Sequence, residues 1–347
     1  MPQSADTNRR IVLAQRPKGE PDDDTLRLET APLPTPGPGE MLLRTIWLSL
    51  DPYMRGRMND AKSYATPVEI GGVMTGQVVA EVVQSNLDGY APGDHVLAMS
   101  GWQDWALSDG TDILNLGSAP DRPSWALGIL GMPGFTAHAG LLRIGEPKAG
   151  ETLVVSAATG PVGATVGQIA KIKGCRVVGI AGGAKKCAHA VEAQGFDACI
   201  DHRAADFEAQ LKAACPDGVD IYWDNVGGRA LYGILPLLNP FARVPVCGVA
   251  AWYNLTGLPE GPDRGPQIMS TILRMKVKVQ GFIVFDSFPA EAYAAFVKDM
   301  RAWLADGSIT YTEQVVEGLD AAPAALNDVL AGRNFGKMVV RVGPDKA

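Results

Sequence analysis

The first 174 residues contain no cysteine, and the first 137 contain a single histidine, His95. A catalytic zinc wants three nitrogen, sulfur or oxygen ligands from the protein and one open position. The N-terminal part therefore cannot build a Cys/His metal site. The five cysteines that do occur are Cys175, Cys187, Cys199, Cys215 and Cys247. Their number is odd, their spacings are wide and no CxxC pair is present. That excludes a disulfide frame and reads as reduced thiols of a cytoplasmic protein. Excess positive charge is also missing: the net charge is −7, which argues against a nucleic-acid partner. No apolar run approaches the roughly 20 residues of a membrane-spanning helix. The segment Met1 to Asp6 is polar and has no signal-peptide core.

A chain of 347 residues with 46% hydrophobic and 20% charged side chains is long enough for roughly two globular domains. Up to about residue 130 it reads as β-rich. Short apolar runs recur at Arg10 to Ala14, Met41 to Ser49, Gly76 to Val83 and His95 to Met99. Turn residues such as Pro32 to Gly39 and Pro92-Gly93-Asp94 separate them, as in a barrel-like or sandwich module. Two loops of this part are rich in aromatic and polar groups. In Asp51-Pro52-Tyr53-Met54-Arg55-Gly56-Arg57-Met58, Tyr53 and Arg55 fit either the lining of an entrance or the support of a loop. Gly101-Trp102-Gln103-Asp104-Trp105 is either a pocket wall or a packed edge.

Beyond a helical, Pro133-broken stretch from Pro123 to Arg143, strands and amphipathic helices alternate. Strands are expected at Thr152 to Ser156, Arg176 to Ala181, Ala198 to Asp201, Val219 to Asp224, Ala242 to Cys247 and Val277 to Val284. Six strands with helical crossovers predict a doubly wound parallel sheet. The first strand runs into Ala157-Ala158-Thr159-Gly160-Pro161-Val162-Gly163 and then a helix. Small residues there let a pyrophosphate approach the backbone and rest on the helix N-terminus. Ala158 stands where the common dinucleotide pattern has its first glycine. After the second strand, an NAD site carries an acid for the ribose 2′-hydroxyl. This chain has Gly182-Gly183 followed by Lys185 and Lys186, which favour a 2′-phosphate and hence NADPH. Asp224 to Gly228 and Cys247 to Asn254 end the fourth and fifth strands, at the sheet edge where ligands bind in open α/β folds. The position of Tyr253 there singles out its phenol as a donor for the nicotinamide ribose and a substrate carbonyl. Helices at Ala290 to Ala305 and Ala321 to Ala331, with strands at Gln314 to Leu319 and Gly336 to Val342, return the chain to the N-terminal module.

Taken in order, these segments, with Gly131 to Ala137, Gln280-Gly281-Phe282-Ile283-Val284 and Asn334-Phe335-Gly336-Lys337, resemble the zinc-independent medium-chain dehydrogenases/reductases. The resemblance is to the leukotriene/prostaglandin reductase and alkenal/one reductase subgroup, and within it to bacterial curcumin-reductase-like enzymes. It implies a GroES-like β-rich catalytic domain, residues 1–130 and 306–347, and a Rossmann domain, residues 131–305. It implies that Gly160, Pro161, Val162 and Gly163 hold the pyrophosphate and that Lys186, or Lys185, meets the 2′-phosphate. Asn225, Cys247, Gly248 and Tyr253 would follow the ribose and nicotinamide, with Phe282, Ile283, Val284 and Asn334 around the nicotinamide end. Tyr53, Met132, Trp102 and Tyr253 would face the substrate, with Tyr253 and Tyr53 in catalytic roles. A homodimer joined through edge strands of the nucleotide domain is implied as well. One departure is His202, where many relatives have a tyrosine near the adenine phosphate, so the NADPH preference carried by the lysine is expected to be weaker or pH-sensitive. The Gly-His-Glu segment of the zinc-dependent relatives is replaced by Gly71-Gly72-Val73.

Without a metal site, alcohol–ketone interconversion lacks a group to handle the hydroxyl proton, whereas hydride addition to an activated C=C needs none. The expectation is an NADPH-dependent enone or enal reductase. Two alternatives stay open: a quinone reductase on the same fold, and a nucleotide-binding protein without catalysis.

Overall fold

Turn chemistry and two hydrophobic periods divide the described residues, 7–345, of the computed structural model. The polar segment Met1 to Asp6 lies outside them. The first part is strand after strand: β1 (Thr7–Leu13), β2 (Leu26–Pro32), β3 (Met41–Ser49), a short helix α1 (Tyr53–Arg57), β4 (Val78–Ser85), β5 (His95–Ala98), β6 (Trp105–Ser108) and β7 (Leu114–Gly117). After a 3-10 turn at Pro123–Leu127 and helix α2 (Met132–Gly140), strands and helices alternate. They are β8 (Thr152–Ser156), α3 (Pro161–Ile172), β9 (Arg176–Ala181), α4 (Ala184–Glu192), β10 (Ala198–Asp201), α5 (Phe207–Ala214), β11 (Val219–Trp223), α6 (Gly228–Ile234), β12 (Leu238–Val246), α7 (Gly265–Met275) and β13 (Lys278–Gly281). The chain closes with α8 (Val284–Ser287), α9 (Ala290–Ala305), β14 (Glu313–Glu317), α10 (Ala322–Leu330) and β15 (Lys337–Arg341).

Two compact units result. One ends at Gly128 and resumes at Glu313; the other runs Ile129–Thr312. The return thus comes later than residue 306, where the sequence reading placed it. The cause is Gln168 on α3, whose side-chain oxygen accepts from the Thr310 N–H at 2.7 Å while its amide donates to the Thr310 carbonyl at 3.0 Å. These bonds keep the segment after α9 with the second unit.

In the first unit a seven-stranded sheet has the order β14-β15-β3-β4-β5-β7, with β6 also on β3, and β1-β2 forms a hairpin. The strand β2 is not legible in the sequence because only Leu26 of its seven residues is buried, which leaves no apolar alternation, and it ends at Pro32. In the second unit the six strands are ordered β10-β9-β8-β11-β12-β13, and every pair is parallel. Parallel strands covered on both faces read as unbroken apolar runs, and β8 is buried at all five positions. This is a doubly wound sheet. Its strand order reverses between β8 and β11, which puts a ligand crevice beyond their carboxyl ends. The sixth strand is shorter than its apolar run, because the chain turns helical at Val284. Among the described residues no helix is long and apolar enough to cross a membrane.

Candidate active site

The β8–α3 turn lies at that reversal. Pro161 begins α3, with Gly160 as an extended N-cap and no acidic side chain in the first turn. The leading amides of a helix lack carbonyl partners within it, so an anion placed there meets N–H groups and the positive end of the helix dipole. The left-handed residue of the turn is Ala157, at φ 51°, and not its neighbour Ala158, whose methyl is wholly buried. A non-glycine residue in this region is strained by about 1–2 kcal/mol. Gly163 has no room for a side chain: a Cβ there would stand 2.3 Å from the Ala157 carbonyl oxygen and 3.2 Å from the Ala158 Cα. The cradle therefore fits a pyrophosphate lying against backbone. Gly163→Ala is expected to lose about 1–3 kcal/mol of stability through forced separation of strand and helix. Thermal melts check the stability loss, and titration with a dinucleotide checks the loss of the cradle.

At the end of β11, Asp224 is buried and accepts at one carboxylate oxygen from Tyr222 Oη (3.0 Å), Val226 N–H (2.9 Å) and Gly227 N–H (2.8 Å). Burial raises its carboxyl above the ordinary carboxylate range, against the opposing pull of those donors. Its backbone carbonyl accepts from the Cys247 N–H at 2.8 Å. The same network uses up the Asn225 side chain. Its amide donates to the Ser156 carbonyl at 2.7 Å, and its oxygen accepts from Trp223 Nε1 at 3.0 Å. Asn225 thus ties β8 to β11 across the reversal.

The segment after β12 turns back over this edge. Gly248 is a point of close approach, since a Cβ there would be 3.2 Å from Tyr253 Oη. The phenol oxygen is also 3.5 Å from the Val249 N–H. Tyr253 is half-buried. Burial, and secondarily Asp224, push the Cys247 thiol up to about 12, so it stays a neutral thiol. Phe282 is a core residue, packed edge-on against Trp223 at 5.7 Å between ring centroids; its ring is not available to a nicotinamide. Val284 is buried and Ile283 half-buried. Met132 opens α2 and is half-buried.

A cationic cluster gathers at the ends of β9 and β10. Lys186 is half-buried where Lys185 is exposed. Burial first, then the Arg203 charge, lowers the Lys186 ammonium. Beyond Gly182, whose Cβ would meet His202 Nε2 at 3.1 Å and an Arg203 guanidinium nitrogen at 3.2 Å, the imidazole of His202 is held below its usual range. The causes are burial and then Arg203, with Arg229 and Lys186 adding to them and Asp201 opposing. A 2′-phosphate would relieve all of these repulsions. Arg203 escaped the sequence reading; the signal was its place beside His202 at a strand end.

In the first unit, Tyr53 opens α1 and is half-buried against the hydrophobic core. Burial, then the Asp51 charge, raises its phenol far above the ordinary value, so it remains a proton-bearing donor. Arg55 supports the loop: it is buried and donates to the Gly19 carbonyl at 2.8 Å and to Asn59 Oδ1 at 2.7 Å. Trp102 is a correction to the expected substrate wall. It is fully buried, and its indole fills space that a Cβ on Gly76 would occupy. The Asn334 amide is engaged locally, donating to the Gly336 carbonyl at 2.8 Å. Among the described residues no three His, Cys, Asp or Glu side chains come together in a way that could hold a metal; His95 is buried within β5.

Comparison with known proteins agrees with this architecture. Residues 9–116 match a family model described as the N-terminal domain of oxidoreductase, and residues 161–301 one described as zinc-binding dehydrogenase. The chain is 56% identical to the NADPH-dependent curcumin reductase of Escherichia coli over 99% of this chain and 100% of that protein. It is 36% identical to the 2-alkenal reductase (NADP(+)-dependent) of Nicotiana tabacum, over 97% and 98% of the two chains. The crystal structure of CurA in complex with NADPH from Vibrio vulnificus superposes with a TM-score of 0.95 at 55% identity, covering 97% of this chain and 100% of that one. The chain belongs to the zinc-independent medium-chain dehydrogenases/reductases, in the subgroup of the prostaglandin and alkenal reductases.

Proposed function

We propose that the protein is an NADPH-dependent reductase of C=C bonds conjugated to a ketone or aldehyde. The observation that carries this is the juxtaposition, within the second unit, of a backbone cradle at Gly160 to Gly163, a cationic cluster at Lys186, His202 and Arg203, and the Tyr253 phenol over Gly248. The names of the related curcumin and 2-alkenal reductases agree with it. Bound NADPH supplies a hydride to the β-carbon. Tyr253 donates a hydrogen bond to the carbonyl oxygen as negative charge grows there, and the α-carbon takes its proton from water or through this phenol. Tyr53 is proposed as a second donor and Met132 as an apolar wall for the substrate. The backbone from Gly160 to Gly163 would hold the pyrophosphate, the segment from Cys247 to Tyr253 would orient the ribose and nicotinamide, and Phe282 to Val284 would stand at the nicotinamide end. Oxidation of NADPH measured against enals, enones and quinones, with NADH as control, tests the reading. Turnover of quinones alone makes the protein a quinone reductase, and binding without any turnover makes it a non-catalytic NADPH-binding protein.

His202 gives the site a pH signature. In the free protein burial, then neighbouring cations, hold it below its usual range and so favour the neutral ring. A dianionic phosphate favours its protonated form, so binding takes up a proton. NADPH affinity is then expected to rise as pH falls from about 8 to about 6, below which protonation of the phosphate itself blunts the gain. NADH shows no such slope. An identical slope in His202→Ala removes the histidine from this role. Arg203→Ala is expected to weaken NADPH by about tenfold, the value of one charge-assisted hydrogen bond, and NADH hardly at all; fluorescence titration decides it.

We further propose a cytoplasmic homodimer. Edge strand β13 is exposed at all four positions, with Val279 on it 47% exposed, and Met269 and Leu273 of α7 are 64% and 78% exposed. Size-exclusion chromatography with light scattering checks it.

A further inference from the structure

The turn after β11 and the segment after β12 are laid against each other by backbone hydrogen bonds. The Asp224 carbonyl accepts from the Cys247 N–H at 2.8 Å and from the Gly248 N–H at 3.1 Å. The Asn225 carbonyl accepts from the Ala250 N–H at 3.3 Å, and the Val226 carbonyl from the Ala251 N–H at 3.0 Å. Successive carbonyls of the turn thus hold a row of amides that ends just before Tyr253. Trp252 seats on the same turn: a Cβ on Gly227 would stand 2.9 Å from its ring, so the indole covers the bare face of that glycine. Gly227 has φ 69°, a conformation that a side chain would strain. At the other end, a Cβ on Gly248 would stand 3.1 Å from the Asn225 carbonyl oxygen and 3.2 Å from Tyr253 Oη. The phenol and the turn therefore meet across a single glycine. The turn itself is shaped from beneath by Asp224. One of its carboxylate oxygens takes the Val226 and Gly227 amides and Tyr222 Oη, with the Ser156 hydroxyl 3.2 Å away. Asp224 is 2% exposed, so water has no ready access to replace that oxygen, and a turn amide deprived of it is left unsatisfied or moves.

We propose that Asp224 is a positioning residue for Tyr253: its side chain fixes the turn from Asp224 to Gly227, the turn fixes the strip on which Cys247 to Trp252 lie, and the strip fixes the phenol. Asp224 acts through the backbone and not on the reacting atoms. A shift of the turn carries the amides bonded to it, and the phenol with them. Misplacement of a catalytic group by about 1 Å costs on the order of 100-fold in rate, so a buried carboxylate behind the site controls turnover as a contact with substrate does.

The effect on turnover rests on the proposed function; the effect on the backbone does not. Hydrogen–deuterium exchange of the full chain reads the backbone directly. In Asp224→Ala the amides from Cys247 to Ala251 are expected to exchange about tenfold faster, while those of β8 and β9 are unchanged. With an enone, kcat and kcat/KM of this variant are expected to fall together by about tenfold. Asp224→Asn keeps an oxygen for the same donors and is expected to restore exchange and kcat to within about threefold of the parent. In the Tyr253→Phe background, Asp224→Ala is expected to lower kcat by less than about twofold, because the hydroxyl that it places is already gone. Should Asp224→Ala fail to fold, Gly227→Ala carries both measurements, since its methyl against the Trp252 ring displaces the same segment from the outer side. Unchanged exchange from Cys247 to Ala251 overturns the proposal. So does an equal fall in kcat with and without the Tyr253 hydroxyl, which is the mark of a general loss of structure. An Asp224→Asn variant as impaired as Asp224→Ala also overturns it, since charge and not the shape of the turn then matters. A Tyr253→Phe variant as fast as the parent counts against the proposed use of the phenol, while the exchange data still decide whether Asp224 holds the strip.

Discussion

Lys337→Ala is expected to destabilise the protein by about 3–5 kcal/mol, the cost of leaving one member of a buried ion pair without its partner. Lys337 is 1% exposed. Its ammonium donates to Asp51 Oδ1 at 2.9 Å and to the Leu50 carbonyl at 2.7 Å, and the Ser49 hydroxyl donates to the second Asp51 oxygen. These bonds join β15, from the end of the chain, to the turn that leads from β3 into α1. That turn carries Tyr53. Truncating the lysine leaves the Asp51 carboxylate buried with only the serine to satisfy it. A total stability of about 5–15 kcal/mol is usual, so the variant is expected to melt on the order of 10 °C lower. A contrasting pair bridges β15 and its neighbour β14. Arg341 and Glu317 form a salt bridge with side chains 44% and 65% exposed, and Glu317→Ala is expected to leave the melting temperature unchanged because water screens such pairs. Equal melting temperatures for Lys337→Ala and the parent chain would show that Asp51 finds another partner, and would sink the assignment of this pair as the clasp of the unit.

The part of this molecule legible in the sequence is the part encoded by periodicity and turn residues. Strands β8 and β9 have the bounds that their apolar runs imply, because parallel strands buried on both faces leave little ambiguity; the edge strand β10 also keeps its expected bounds. The α3 turn was legible for a similar reason: a helix N-terminus against a strand has few steric solutions. What the sequence concealed were identities of contact. Trp102 and Trp105 look alike in a loop of aromatic and polar residues, yet Trp102 is fully enclosed and Trp105 only half-buried. Asn225 lies at the strand end where a ligand-binding side chain belongs, but Ser156, distant in sequence, takes up its amide. Arg203 gave no motif, since its meaning comes from Gly182, just past the end of the neighbouring strand β9. In each case the deciding partner is 20 or more residues away, and no local pattern records it.

Tyr253→Phe is expected to lower kcat with an enone on the order of 100-fold, while the Kd for NADPH stays within about twofold of the parent value. The substitution removes one oxygen and leaves the ring. The ring's place is fixed by the short 3-10 turn at Ala250–Trp252 that it caps and by the bare face of Gly248 beneath its hydroxyl. Loss of the oxygen therefore removes a donor without removing the packing that shapes the edge of the crevice. An interaction made only as charge develops on the carbonyl oxygen lowers kcat and kcat/KM together; one made equally with the ground state raises KM alone. A parallel fall in kcat and kcat/KM assigns the phenol to stabilisation of the enolate. A rise in KM with kcat intact makes it a substrate-positioning group, and loss of NADPH affinity makes it a support for the ribose. An unimpaired rate removes it from the chemistry and leaves Tyr53 as the remaining phenol to test. Gly248→Ala gives an independent check on the same geometry. Its methyl would stand 3.2 Å from the phenol oxygen, so it displaces a hydroxyl that is chemically intact. If position as well as chemistry matters, that variant loses turnover although Tyr253 is unchanged, as expected when a donor must already lie where the oxyanion forms.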